Sequence, residues 1–198
     1  AMSSVAGHQP NLFPSPGYFA KAAAVDTFVI VDTTQYVKKQ YHNRNKIKLS
    51  DGQAHWLSVP VVNAGRYQQS IRECEIEPGA PWKKAHLKTL SLNYAKAPYF
   101  DLYFSQFEAL YHRDWSRLPE FSVAIIRLCF ELLEIDTPIL MGSDLGIEGK
   151  ATELIADICR KTGADTYLHG AHAVDYVDFD VLKSHGLNSL LQEYHAQP

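Results

Sequence analysis

The stretch "SVAGHQPNLFPSPGYFAKAAAVDTFVIVD", residues 4–32, decides the fold. It opens on a short apolar run ending near Gly7, and Pro10, Pro14 and Pro16 follow. Each proline fixes φ and lacks an N–H, so no regular element crosses this segment. From Gly17 to Val25 the composition is helical, and "TFVIVD" reads as a buried strand with an Asp at its carboxyl end. A strand–helix–strand unit of this length predicts two parallel strands with a right-handed crossover. In open α/β sheets, ligands gather beyond the carboxyl ends of strands. That edge carries His8, Gln9, Asn11 and Asp32.

Further along, "NKIKLSDGQAHWLSVPVV" (45–62) alternates on either side of Asp51-Gly52, a dipeptide that suits a type I′ turn and so predicts a hairpin. "RYQQSIRECEIEPG" (66–79) predicts another strand. From Pro81 the character turns helical, in "PWKKAHLKTLSLNYAKAPYF" (81–100), "FDLYFSQFEALYHR" (100–113) and "RLPEFSVAIIRLCFELLEI" (117–135). Tyr94, Tyr99 and Phe100 are spaced to pack a helix end on the core. "TPILMGSDL" (137–145) returns as a strand, and "KATELIADICRKTGA" (150–164) is a helix stopped by Gly163. "DTYLHG" (165–170) is a strand, and "VDFDVLKSHGLNSLLQEY" (177–194) a short helix and a strand. The expected architecture is one α/β domain over 1–198, with a mostly parallel, Rossmann-like sheet in three layers. It carries a β-hairpin and a helical insertion at about 81–135.

A hydrophobic share of 46% and an aromatic share of 12% are enough for a real core. The net charge of −3 argues against nucleic acid as a general partner, which needs a strongly basic face. Cys74, Cys129 and Cys159 lie far apart without a CxxC spacing, so neither a zinc site nor a disulfide framework is indicated. Cys129 and Cys159 are expected as small core hydrophobes. No stretch reaches the apolar length of about 20 residues that spans a bilayer, and no secretory signal precedes the first strand. No membrane partner is therefore expected, and the setting expected by default is cytoplasmic. Ala1-Met2 reads as an added residue before a native methionine.

Three constellations carry chemistry. A free histidine side chain titrates near neutrality, so the residue type at position 8 suits a general base or a donor to phosphate, while Gln9 and Asn11 either join His8 or satisfy the loop's own backbone. "TQYVKKQYHNRNKIKL" (34–49) holds five lysines and arginines, one histidine, two asparagines and no acid. Arg44 can grip a carboxylate or phosphate with two parallel hydrogen bonds, and Lys38 and Lys39 act as point charges unless simply solvated. Asn43 and Asn45 each bring a donor and an acceptor, as sugar hydroxyls and amides require, with Asp32 and Gln35 nearby. In "YLHGAHAVDY" (167–176), His169 and His172 flank Gly170, with Asp175 close in sequence. They read as an acid–base pair, as substrate ligands or as surface polar groups. As a zinc site the set is incomplete, so no metal and no cofactor are assigned.

The segments "HQPNLFPSPGYF", "VIVDTTQYVKKQYHNRNKIK", "NYAKAPYF" and "ICRKTGADTYLHG" together resemble the WbqC-like family, associated with O-antigen and related polysaccharide clusters. The resemblance covers nearly the whole chain. It marks Gln9, Pro10, Pro14, Gly17, Tyr18, Asp32, Gln35, Lys38, Asn43, Arg44 and Asn45, and it implies transfer of a glycyl or other aminoacyl group onto an amino sugar. The chain departs from the family at "YLHGAHAVDY", where members read closer to YINPxGG, and members often run beyond "QEYHAQP". The expected function is a transferase that forms an amide, with His8, Asp32 and Arg44 catalytic. Gln9, Asn11, Tyr18, Gln35, Lys38, Asn43, Asn45, His169 and His172 would bind substrate. The partners are a small-molecule donor, with or without an acyl carrier, and an amine or sugar acceptor; a homo-oligomer is left open. The alternatives are a nucleotidylyl- or adenylate-forming enzyme, which lacks a P-loop or GxGxxG here, and a non-catalytic glycan- or nucleotide-binding module.

Overall fold

The computed structural model of the chain describes residues 2–193; Ala1 and the end at Pro198, both remarked on above, lie outside the described residues. In chain order the strands are β1 (Ser4–His8), β2 (Thr27–Ile30), β3 (Arg44–Lys48), β4 (Ala54–Ser58), β5 (Ile139–Met141), β6 (Thr166–His169) and β7 (Asn188–Leu191). The helices are α1 (Pro16–Ala23), α2 (Trp82–Tyr94), α3 (Phe100–Tyr111), α4 (Leu118–Leu132), α5 (Gly142–Leu145), α6 (Thr152–Thr162) and α7 (Phe179–Ser184). The chain divides into two units. The first is Ala1–Gln9, Pro14–Thr33 and Phe130–Pro198; the second is Pro10–Phe13 and Thr34–Cys129.

The first unit is a Rossmann-like α/β sheet. Its order is β5-β2-β1-β6-β7, and every pairing is parallel. Strands buried on both faces read as near-continuous apolar runs, which is why "VAG" and "TFVIV" were recognisable. Val5, Val29, Val31 and Tyr167 pack on Ile155, Ile158 and Cys159 of α6 and on Leu182 of α7. Facing the other way, Phe28 meets Tyr18 and Phe130 at ring-centroid distances of 5.3 and 5.9 Å. Helix α1 starts on Pro16, where a missing N–H costs nothing, and α6 stops at Gly163, whose φ of +71° suits glycine.

The second unit holds the hairpin and helices α2 and α3, with α4 as far as Cys129. Strands β3 and β4 pair antiparallel from Arg44↔Ser58 to Lys48↔Ala54. Their turn has three residues, Ser50–Gly52, and not the two of a type I′ turn: Leu49 N–H donates to the Gln53 carbonyl and Gly52 N–H to the Leu49 carbonyl. Gly52, at φ +85°, takes the left-handed position that ends such a loop. The strand expected over 66–79 does not form as a run. Val62 N–H donates to the Glu75 carbonyl, whereas Ile76 N–H donates to Ser116. Successive backbone groups thus serve two different segments, leaving isolated bridges at Val61↔Ile76 and Glu75↔Arg117 and a 3-10 turn at Ile71–Glu73.

The second core gathers Leu12, Tyr36, Val59, Ile71, Trp82, Tyr111 and Phe121. His86 lies inside it. Its Nε2 is 2.7 Å from the Ser58 carbonyl, which can only accept, so Nε2 carries the proton and Nδ1 accepts from the Tyr111 hydroxyl at 2.8 Å. Burial lowers the His86 pKa and keeps the ring neutral. Tyr99 departs from its expected packing role: it is 71% exposed, at φ +64° just before α3. Cys74 and Cys159 are fully buried, Cys129 is half-buried, and all three are free thiols. No helix among the described residues is long and apolar enough to cross a membrane.

Candidate active site

Strand β1 sits between β2 and β6, so the chain runs from β1 to one neighbour and returns later on the other side. The carboxyl ends of β1 and β6 flank such a switch in direction, where α/β sheets leave a crevice. Here the two strands pair only through Ser4↔Thr166 and Val5↔Tyr167. Beyond that, the Tyr167 hydroxyl accepts from Gly7 N–H (3.1 Å) and donates to the Gly7 carbonyl (3.3 Å). One phenol stands where the ladder would have continued, and the strands part around it. Glycine fits this place without crowding: a Cβ on residue 7 would lie 3.1 Å from the Tyr167 oxygen and 3.2 Å from both Ile158 Cδ1 and Val31 Cγ2, so each neighbour would have to give by a few tenths of an ångström. Gly7→Ala is therefore expected to destabilise the protein by about 1–3 kcal/mol through overpacking, measured by urea unfolding.

A cavity of about 220 Å³ opens at this parting. It is lined by His8 of β1, Lys21 of α1, Ile155 of α6, His169 of β6, and His172 and Tyr176 of the loop that follows. The His8 ring stacks on Tyr18 with centroids 4.6 Å apart, and the Tyr18 hydroxyl donates to the Gln9 carbonyl at 2.9 Å. Tyr18 thus braces both residues of the His-Gln pair. Burial pushes the Tyr18 phenol up, so it stays protonated.

His169 is 2% exposed, with Nε2 at 3.0 Å from the Ser189 hydroxyl. Burial, and after it the charge on Lys21, push its pKa down to about 4, so the ring is neutral at pH 7. Lys21 is 7% exposed, and burial lowers its pKa to about 8. Among the described residues its ammonium takes part in no salt bridge, and no carboxylate lines the cavity.

Asp32 is buried at the end of the β2 segment. Its Oδ1 accepts from Ser143 N–H (2.8 Å) and its Oδ2 from the Ser143 hydroxyl (2.6 Å), which anchors the start of α5. The remaining candidate catalytic and substrate-binding residues belong to the second unit. Asn11 is half-buried in its first segment. Gln35 Nε2 donates to the Tyr67 carbonyl (3.3 Å), and Lys38 is exposed. Asn43 Nδ2 donates to the Val59 carbonyl (2.9 Å), and Asn45 Nδ2 to the carbonyls of Leu12 (3.0 Å) and Phe13 (2.7 Å). The Arg44 guanidinium lies 4.0 Å over Trp56 and donates through Nη2 to the Lys39 carbonyl at 2.7 Å.

The first unit therefore brings His8, His169 and His172 together around one cavity, with Tyr18 stacked on His8 and bonded to the Gln9 carbonyl. Sequence reasoning passed over Lys21 and Tyr167. Lys21 had a signal, as the single charged residue of the apolar octet "PGYFAKAA", three positions after Tyr18 and so on the same helical face. Tyr167 precedes His169 by two along a strand and shares its face.

The model of the WbqC-like protein family matches residues 9–198. The uncharacterized protein Rv1507c of Mycobacterium tuberculosis is 35% identical over 178 residues, which is 89% of this chain and 76% of that protein. No solved structure matches the chain significantly. With nearly its whole length matched, the chain belongs to the WbqC-like family.

Proposed function

We propose that the protein is a transferase that forms an amide, moving an acyl or aminoacyl group such as glycyl onto the amine of a sugar or a similar small acceptor. The observation that carries this reading is a braced imidazole, His8, lining a small cavity at the carboxyl edge of a parallel sheet. An amine attacks only when neutral, and it must lose a proton as the new C–N bond forms. His8 takes that proton, and the leaving group departs with the electron pair of the broken acyl bond. His169, held neutral, shares the cavity without adding charge. At about 220 Å³ the cavity lies below the roughly 300–1,000 Å³ of whole-ligand pockets, which favours a small acyl unit with the rest of the ligand outside. No cysteine is among its lining residues, and the transfer proposed runs from the donor to the amine without a thioester on the protein.

The test is a purified assay of activated aminoacyl donors with amino-sugar acceptors, with products read by mass spectrometry. His8→Ala is expected to lower turnover by about 10²–10⁴ while the melting temperature changes little. Unchanged turnover in that variant removes His8 from the role.

A further inference from the structure

Lys21 stands in the cavity with no carboxylate beside it among the described residues. A buried ammonium is expensive unless it is paired, and paired lysines in interiors find a carboxylate. None lines this cavity, and no ion pair to Lys21 exists among the described residues. The neighbouring imidazole offers no negative charge either. We infer that the cavity beyond β1 and β6 binds an oxyanion, a carboxylate or phosphate group of the ligand, whose charge completes that of the Lys21 ammonium. This rests on the cavity proposed above as the site of transfer, and it names the chemical group that the substrate brings there.

The surroundings suit that role. Ile155 and the ring of Tyr167 wall the space with apolar surface, so a charge pair there is stronger than in water. Tyr176 and His172, both exposed, are further residues with polar groups on the lining. Burial lowers the Lys21 pKa to about 8, the cost of taking its charge out of water. The volume admits one such group and not a whole nucleotide, so the anion is one end of a larger ligand or a small molecule in itself.

Isothermal titration of the full chain with inorganic phosphate, and separately with acetate, at pH 7 and fixed ionic strength tests this. Saturable binding of at least one anion is expected, weakened at least tenfold in Lys21→Met and unchanged in Lys88→Met, a control at an exposed lysine of α2. Binding of phosphate alone assigns the group to a phosphorylated ligand, of acetate alone to a carboxylic acid, and of both to oxyanions in general. No saturation with either, equal binding by Lys21→Met, or an equal loss in Lys88→Met overturns the inference. Should Lys21→Met fail to fold, protection of Lys21 in the wild type from an amine-acetylating reagent by the same anions, read by peptide mass spectrometry, decides it. Binding is read without turnover, so this result and that of the transfer assay stand apart.

Discussion

Lys21→Met is expected to stabilise the protein at pH 7 by up to about 3 kcal/mol, although it removes a charged group. The amine ionises at about 8 in the fold against an ordinary 10.5, and each unit is worth about 1.36 kcal/mol. The sign follows from proton counting. Between about pH 8 and 10.5 the unfolded chain holds the Lys21 proton and the folded one has released it, so stability rises with pH across that window. Below pH 8 both states are protonated, and the full penalty of burying the charge is present. Methionine keeps much of the side chain's bulk and bears no charge. Urea unfolding at pH 7 and pH 10 should show a gap between wild type and variant that narrows at the higher pH. A variant less stable than wild type at pH 7 would mean that the ammonium is already compensated within the protein.

The second large effect lies in the core of the hairpin-and-helix unit. His86→Ala is expected to cost about 3–5 kcal/mol, since it opens a hole among Trp82, Tyr111 and Ser58 and orphans two polar groups at once. Tyr111→Phe removes only the hydroxyl and leaves His86 Nδ1 without its donor, for about 1–2 kcal/mol. Because the two residues share one bond, the double variant should cost less than the sum of the singles. A loss under about 1 kcal/mol for His86→Ala, measured by urea unfolding, would show that the ring is not the keystone its two hydrogen bonds suggest.

The sheet was legible because its strands are apolar runs closed by Asp, Gly or His, and because α1 and α6 begin or end on proline and glycine. Pairing that depends on distant partners was not. Residues 66–79 alternate like a strand, yet their backbone groups divide between the segments of Val62 and Ser116, which no local pattern encodes. The hairpin was visible in Asp51-Gly52, but one extra turn residue depends on the register of ten others. At the cavity, His8 and His169 could be placed because both sit where a strand runs out. Lys21 escaped notice because a lysine in a helix is read as solvated, and only the three-dimensional packing buries it. The amides of Asn43 and Asn45 resemble ligand groups in sequence; that they meet the carbonyls of Val59, Leu12 and Phe13 depends on loop closure.

Where β1 and β6 stop pairing, the Tyr167 phenol spans from one strand to the backbone of a residue on the other that has no side chain of its own. The bridge braces the opening of the cavity from within the sheet, apart from the loop at its rim. A change in 170–176 alters the lining at the rim, whereas a change at residue 7 or 167 acts on the frame itself.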